Sequence, residues 1–276
     1  MPNGIPSQDT FRRVFCLLDP EVFQHSFADW VAALAACGVG DRRLVPSDGK
    51  TVRRSGRRGQ GLGPLHLVSA WAGANHVSLG QVAVDDQSNE ITAIPRLLEL
   101  LDLSGALVTI DAMGCQKEIA ATIVTGGGDY ILAVKENHPH LHADINACFT
   151  AALETDGAGL ESSVARTEET NRGREEVREC HVITRPEGLR DAGLWKGLTA
   201  ICMVLSHRVV EGDESIEVRY SIGSLVGTAA EYLNAIRGPW GIENPRSDDP
   251  RSDNLCIAGR AGYHRRGGPA RAGRMA

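Results

Sequence analysis

"ALVTIDAMGCQKEIA" (106–120) decides how this chain is read. Leu107 to Ile110 is an apolar, β-branched run of the kind that makes a central strand buried on both faces. It runs directly into Asp111, a charge that costs several kcal/mol, on the order of 3–5, to bury unpaired. A helical pattern follows from about Gln116 to Thr125. Strand, carboxylate, helix is the grammar of an α/β sheet whose strand ends carry chemistry.

Outward from that point the pattern continues on both sides. Toward the N-terminus, "NEITAIPRLLELLD" (89–102) is an amphipathic helix, and "LHLVSAW" (65–71) and "VSLGQVAV" (77–84) read as an antiparallel hairpin. "RRLVPSDGKTVRRSGRRGQGLG" (42–63) starts as a weak strand and becomes a basic, Gly-rich loop. Before it, "DTFRRVFCLLDPEVFQHSFADWVAALAACG" (9–38) is helical, with Pro20 starting a second helix that Gly38 ends. Toward the C-terminus, "GGGDYILAVK" (126–135) is a turn and another buried strand, and "HPHLHADINACFTAAL" (138–153) a helix. The acidic segment 154–180 reads as irregular, and strands are expected at 179–185, 198–210 and 215–225. Thr228 with Glu231 three residues on forms a capping box that opens a helix carried to about 244. The order predicts a mixed α/β sheet with helices on both faces.

Composition excludes little. The 276 residues carry 42% hydrophobic and 23% charged residues and a net charge of -6, which argues against a globally basic nucleic-acid binder and leaves local patches open. Seven scattered cysteines (16, 37, 115, 148, 180, 202, 256) show no metal-ligand spacing and read as reduced thiols of a cytosolic protein. No apolar run is long enough for a membrane span, and no secretory signal pattern is present.

Three acids stand in suggestive places: Asp48 after the weak strand, Asp111 after the buried one, and Glu243 near the end of the last helix, in "IRGPWGIEN". Carboxylates converging from neighbouring strand ends repel one another unless they bind divalent cations. The residues alone leave plainer readings open. Asp111 can be a helix N-cap, and Asp48 in "SDGK" an ordinary turn residue. His138, His140 and His142 alternate along a helix and so point in different directions, and "GRRGQGLG" (56–63) lacks the strand–loop–helix context of a dinucleotide site.

"TIDAMGCQKEIA" with "GGDYILAVKENHP" resembles the second catalytic block of DDE-class insertion-sequence transposases, in the ISAs-type, H-repeat-associated subgroup. "DTFRRVF", "DGKTVRRS", "LHLVSAW", "LGQVAVDDQSNEITAIP", "NRGREEVRE" and "IRGPWGIEN" match that family's landmarks in order, over roughly residues 6–244. The resemblance implies an RNase H-like core (41–153) after an N-terminal helical remnant (1–40). A β-rich insertion (154–227), a helix carrying the Glu (228–244) and an aberrant tail (245–276) would follow. It implies Mg²⁺-dependent cleavage of DNA at transposon ends and 3′-OH strand transfer, with Mn²⁺ a possible substitute. Asp48, Asp111 and Glu243 are then the catalytic, metal-holding triad. Lys50, Arg53, Arg54, Arg57, Arg58 and Lys135 become candidate contacts to DNA phosphates, against the plainer reading of solvated surface cations. DNA is the implied partner, the full-length protein a homodimer, and the location the nucleoid-associated cytoplasm.

The sequence also departs from that family. It starts close to "PSQDTFRRVF", where relatives carry a further helical segment. Pro239 replaces the usual His of "GHWGIEN", and Pro245 disfavours helical geometry at Asn244. The tail holds seven Arg, five Gly and three Pro with no periodicity, the composition of a disordered or frame-shifted segment. A truncated copy with impaired cleavage is therefore expected. The alternative is a non-catalytic DNA-binding remnant that interferes with the full-length enzyme.

Overall fold

A computed structural model describes residues 5–19, 22–23, 25–27, 29–30, 44–51, 66–72, 77–84, 90–155, 160–171, 173–210 and 212–237. It divides into two units, one formed by 1–27 with 244–276 and one by 28–243. In the first, helix α1 (Gln8–Leu17) is capped by Ser7, whose side chain accepts from the Thr10 N–H. Phe15 and Phe23 meet edge to face at 5.8 Å.

The second unit is built on one nine-stranded sheet. Its strands are β1 (Leu44–Thr51), β2 (His66–Ala72), β3 (Val77–Val84), β4 (Leu107–Ile110), β5 (Asp129–Val134), β6 (Ser162–Asn171), β7 (Arg174–Thr184), β8 (Ala200–Val210) and β9 (Asp213–Gly223). Their spatial order is β3-β2-β1-β4-β5-β9-β8-β7-β6. β1, β4 and β5 are parallel neighbours; every other pair is antiparallel. The helices are α2 (Glu90–Glu99), α3 (Lys117–Thr125), α4 (Pro139–Glu154) and α5 (Ala229–Arg237). Two parallel steps through β4 require crossovers, and α2 and α3 supply them.

Strand parity assigns the helices to faces. Leu107 and Ile131 pack with Tyr232 and Leu233 of α5, together with Cys180, Val182, Cys202 and Val204 from the antiparallel strands. Ile110, of the other parity, and Ile94 of α2 both crowd Gly114 in the turn that follows β4. Tyr220, whose neighbour Ser221 aligns with Cys202 of the α5 face, stacks instead on Phe149 of α4. Helices thus cover both faces, as the sequence predicts. Each fully buried Leu or Ile here contributes about 1.5–3 kcal/mol, enough to fix which face turns inward.

The capping box forms as expected. The Glu231 carboxylate accepts from the Thr228 N–H at 2.7 Å, and Thr228 Oγ1 accepts from the Glu231 N–H at 3.4 Å. Tyr232 then donates its hydroxyl to the Leu225 carbonyl at 2.8 Å.

Two local readings change. Asp48 lies within β1, which continues through Thr51 because β2 pairs with it as far as His66. Much of the acidic stretch 154–180 is ordered strand. Glu169 and Glu176 sit opposite one another across β6 and β7, and arginines hold both there. Glu176, only 5% exposed, pairs with Arg178 at 2.9 Å, with Arg208 at 3.1 Å and with Arg174. The acidic composition read as irregular; strand pairing, with Arg208 reaching Glu176 from β8, overrides it.

Candidate active site

The buried run of β4 delivers Asp111 to the carboxyl edge of the sheet as an exposed residue with extended backbone. Its Oδ1 accepts from the N–H groups of Met113 at 3.1 Å and Gly114 at 3.4 Å, capping a short 3₁₀ turn over Ala112–Gly114. The plain N-cap reading of Asp111 is therefore correct in part. Oδ2 has no hydrogen-bond partner among the described residues, so one carboxylate oxygen is held and the other is available.

The turn is fixed from two more sides. Asn137 Nδ2 donates to the Ala112 carbonyl at 2.7 Å, and a ring nitrogen of His138 meets the Cys115 carbonyl at 2.5 Å. Both come from the link between β5 and α4. A Cβ on Gly114 would collide with Ile110 Cγ2 and approach Ile94 Cδ1, so this position accepts only glycine without rearrangement. Burial, reinforced by the negative charge of Asp111, pushes the Cys115 thiol up to about 12, which makes it an unreactive packing group.

Asp48 enters through register. Ser47 aligns with Ile110 across the parallel β1–β4 pair, so the next residues, Asp48 and Asp111, are level on adjacent strands. Strands in a sheet lie about 4.8 Å apart. Both acids share the strand parity of Leu44 and Leu107, the β1 and β4 residues that join the α5 core. The side chain of Asp48 lies outside the described residues, as does that of Lys50. Arg53, Arg54, Arg57, Arg58, Trp240 and Glu243 lie outside them altogether. Lys135 is described; it follows β5 at the same edge, exposed.

The three histidines have three different neighbours. His138 lies against Trp195, His140 reaches the Arg190 guanidinium at 3.3 Å, and His142 lies against Tyr220. Among the described residues no three His, Cys, Asp or Glu side chains form a metal cluster.

Residues 39–247 match the family model described as Transposase DDE domain, a span that encloses Asp48, Asp111 and Glu243. The chain belongs to the DDE transposase family. Similar curated proteins include "Putative transposase YncI" of Escherichia coli O157:H7, 41% identical over 88% of this chain and 62% of its own length. An uncharacterized protein in the dhlA 3′ region of Xanthobacter autotrophicus is 43% identical over 81% of this chain and 74% of its own. The "H repeat-associated putative transposase YhhI" of Escherichia coli K12 is 38% identical over 88% and 64% respectively. The chain thus spans about six-tenths of two of these relatives. For a DDE transposase domain the mixed sheet, with parallel β1, β4 and β5 at its centre, is the RNase H-like arrangement expected from the sequence. No described helix is long and apolar enough to cross a membrane.

Sequence reading passed over the arginines of β7, β8 and β9, because the segment that pairs with them looked irregular.

Proposed function

We propose that this chain is the catalytic core of a transposase that cuts DNA at transposon ends and joins the resulting 3′-OH to target DNA. Asp48, Asp111 and Glu243 are the proposed acids. The observation that carries the reading is the β1–β4 register, which makes Asp48 and Asp111 neighbours at one sheet edge, on the strand parity of the α5 core. α5 leads in sequence toward Glu243.

The residues fit Mg²⁺, or Mn²⁺ in its place. The donors are carboxylate oxygens, the ligands hard cations take, and Asp111 keeps one oxygen outside its backbone hydrogen bonds. Bound divalent ions would supply activation of the attacking oxygen and stabilisation of the leaving one. The chain's own part is to hold the carboxylates rigidly. β4 is buried on both faces, and the Asn137 and His138 contacts stop the 112–114 turn from shifting. Lys50, Arg53, Arg54, Arg57, Arg58 and Lys135 take DNA phosphates in this scheme. DNA is the partner, the full-length protein acts as a homodimer, and the setting is the nucleoid-associated cytoplasm.

Pro239 and Pro245 favour a weakened form of this function. In the helix expected to carry Glu243, an interior Pro239 would cost about 3 kcal/mol, and Pro245 disfavours helical geometry at Asn244. Cleavage is then slow or lost while DNA binding persists, the behaviour of a non-catalytic remnant.

The test is nicking of a labelled duplex that carries the DNA flanking the gene, with Mg²⁺. Activity that rises in Pro239→His and vanishes in Asp111→Asn supports the catalytic reading. Cleavage that survives Asp111→Asn sinks it. An inert protein and an inert Pro239→His variant, both still binding DNA, leave only the remnant.

A further inference from the structure

β6 to β9 run on past the edge where Asp111 stands. Val134, the last residue of β5, aligns with Tyr220, and β9 extends seven residues beyond, to Asp213. At roughly 3.3 Å per residue this is a ledge about 23 Å long. β8, β7 and β6 run beside it through their full registers.

The two faces of the ledge differ in charge. The parity that sends Cys180, Val182, Cys202 and Val204 into the α5 core also carries Arg174, Arg178 and Arg208 farther along the same strands, and Arg219 of β9 opposite Val204. Arg237, at the end of α5, reaches this face through its ion pair with Glu169. Lys135 is level with Arg219, and its charge adds to the hydrogen bonds from Arg219 in lowering the Glu217 carboxyl. Against these cations the face sets Glu169, Glu176, Glu217 and, at the hairpin end, Asp213. The opposite parity carries Glu168, Glu175, Glu179 and Glu214 with Arg166 alone among arginines. In a chain of net charge -6, the cationic excess is collected on the face whose strand parity Asp48 and Asp111 share.

A purely structural role for these arginines does not account for their number. Glu176 lies beneath Arg174, Arg178 and Arg208, and Glu169 is a second partner of Arg178 at 3.1 Å, so the six cations of this face stand against four carboxylates. Held from below, the Arg174 and Arg208 side chains remain 41% and 33% exposed and keep N–H donors for the outside, while Arg178, 18% exposed, is held by Glu169 and Glu176 together. Rigid guanidinium groups with spare donors are a phosphate-binding arrangement.

We propose that this ledge is a track for duplex DNA, its phosphate backbone leaving the Asp48–Asp111 edge over Lys135 and held by Arg219, Arg208, Arg178 and Arg174. The inference rests on the transposase reading, which makes DNA the substrate. It adds a binding surface distinct from the loop at 50–58. Contacts of this kind position the duplex without reading its sequence.

The experiment is fluorescence anisotropy of the full chain on a labelled duplex of arbitrary sequence, without divalent metal, across a KCl series. Each lost phosphate contact lowers the slope of log affinity against log salt by about 0.9. Arg174→Gln/Arg219→Gln is expected to lower it by about 2, while Arg166→Gln on the opposite face leaves it unchanged. Glu217→Gln, which removes a competing carboxylate and leaves Glu176 paired, is expected to tighten binding. It decides alone if thermal melts show the double variant unfolded. A double variant that is folded and binds like Arg166→Gln, or a neutral Glu217→Gln, overturns the ledge and leaves DNA as the substrate. Wild-type protein that binds no duplex even at low salt overturns both.

Discussion

Asp111 has one oxygen bound to two backbone N–H groups and one without a described partner, so its two roles can be separated by substitution. Asn keeps an acceptor for the turn but not the charge. Asp111→Asn should unfold in urea within about 0.5 kcal/mol of wild type. Asp111→Ala loses the cap and should cost about 1 kcal/mol. Equal urea midpoints for the two variants would show that the cap contributes nothing. Gly114 is the second residue on which this geometry depends. A methyl group there meets Ile110 and Ile94, so Gly114→Ala should destabilise by about 1–3 kcal/mol by overpacking. The same displacement shifts the turn that holds Asp111, and any Mg²⁺-dependent nicking should fall with it.

At the level of the element, α5 matters most, because it covers the core under both strand ends and leads toward Glu243. Its nine residues are too few to persist alone, so it depends on its cap and on packing. Thr228→Ala removes the acceptor for the Glu231 N–H and should cost about 1 kcal/mol, read from denaturant midpoints. Glu231→Gln, which keeps an acceptor for the Thr228 N–H, should cost less. β4 is the complementary case. Four buried residues leave it no face to offer solvent, and its position is dictated by β1 and β5 on either side.

Across the sheet, the ends of β6 to β9 beyond the Asp111 edge are joined by cross-strand ion pairs, where the rest is held by apolar packing. Burial pushes the Glu176 carboxyl up, but hydrogen bonds from Arg208 and Arg174 and the charge of Arg178 outweigh it, leaving the group below its ordinary range. A depressed carboxyl contributes stability that is complete above the unfolded value, about 4.3 for Glu, and is lost as pH falls through the lower folded value. Melting temperatures should therefore drop on acidification below about pH 4. Glu176→Gln should flatten that acid limb and cost about 3 kcal/mol at neutral pH, because three guanidinium groups lose their shared partner. An unchanged acid limb in the variant would assign the acid sensitivity to other carboxylates.

The sequence by itself determined the elements whose signal is local. The apolar run at 107–110, the amphipathic helix at 90–99 and the capping box at Thr228 each carry their instructions within a few residues. The landmark blocks, including "TIDAMGCQKEIA", likewise pointed to the family. What only the tertiary structure decided depends on partners distant in the chain. Asp48 lies level with Asp111 because Ser47 pairs with Ile110 across more than sixty residues. The stretch that looked irregular is strand because Arg208 and Arg237 meet its glutamates from two other elements, and Arg178 of β7 meets Glu169 across the β6–β7 pair. Register and cross-strand charge pairing are properties of two segments at once, and neither segment alone encodes them.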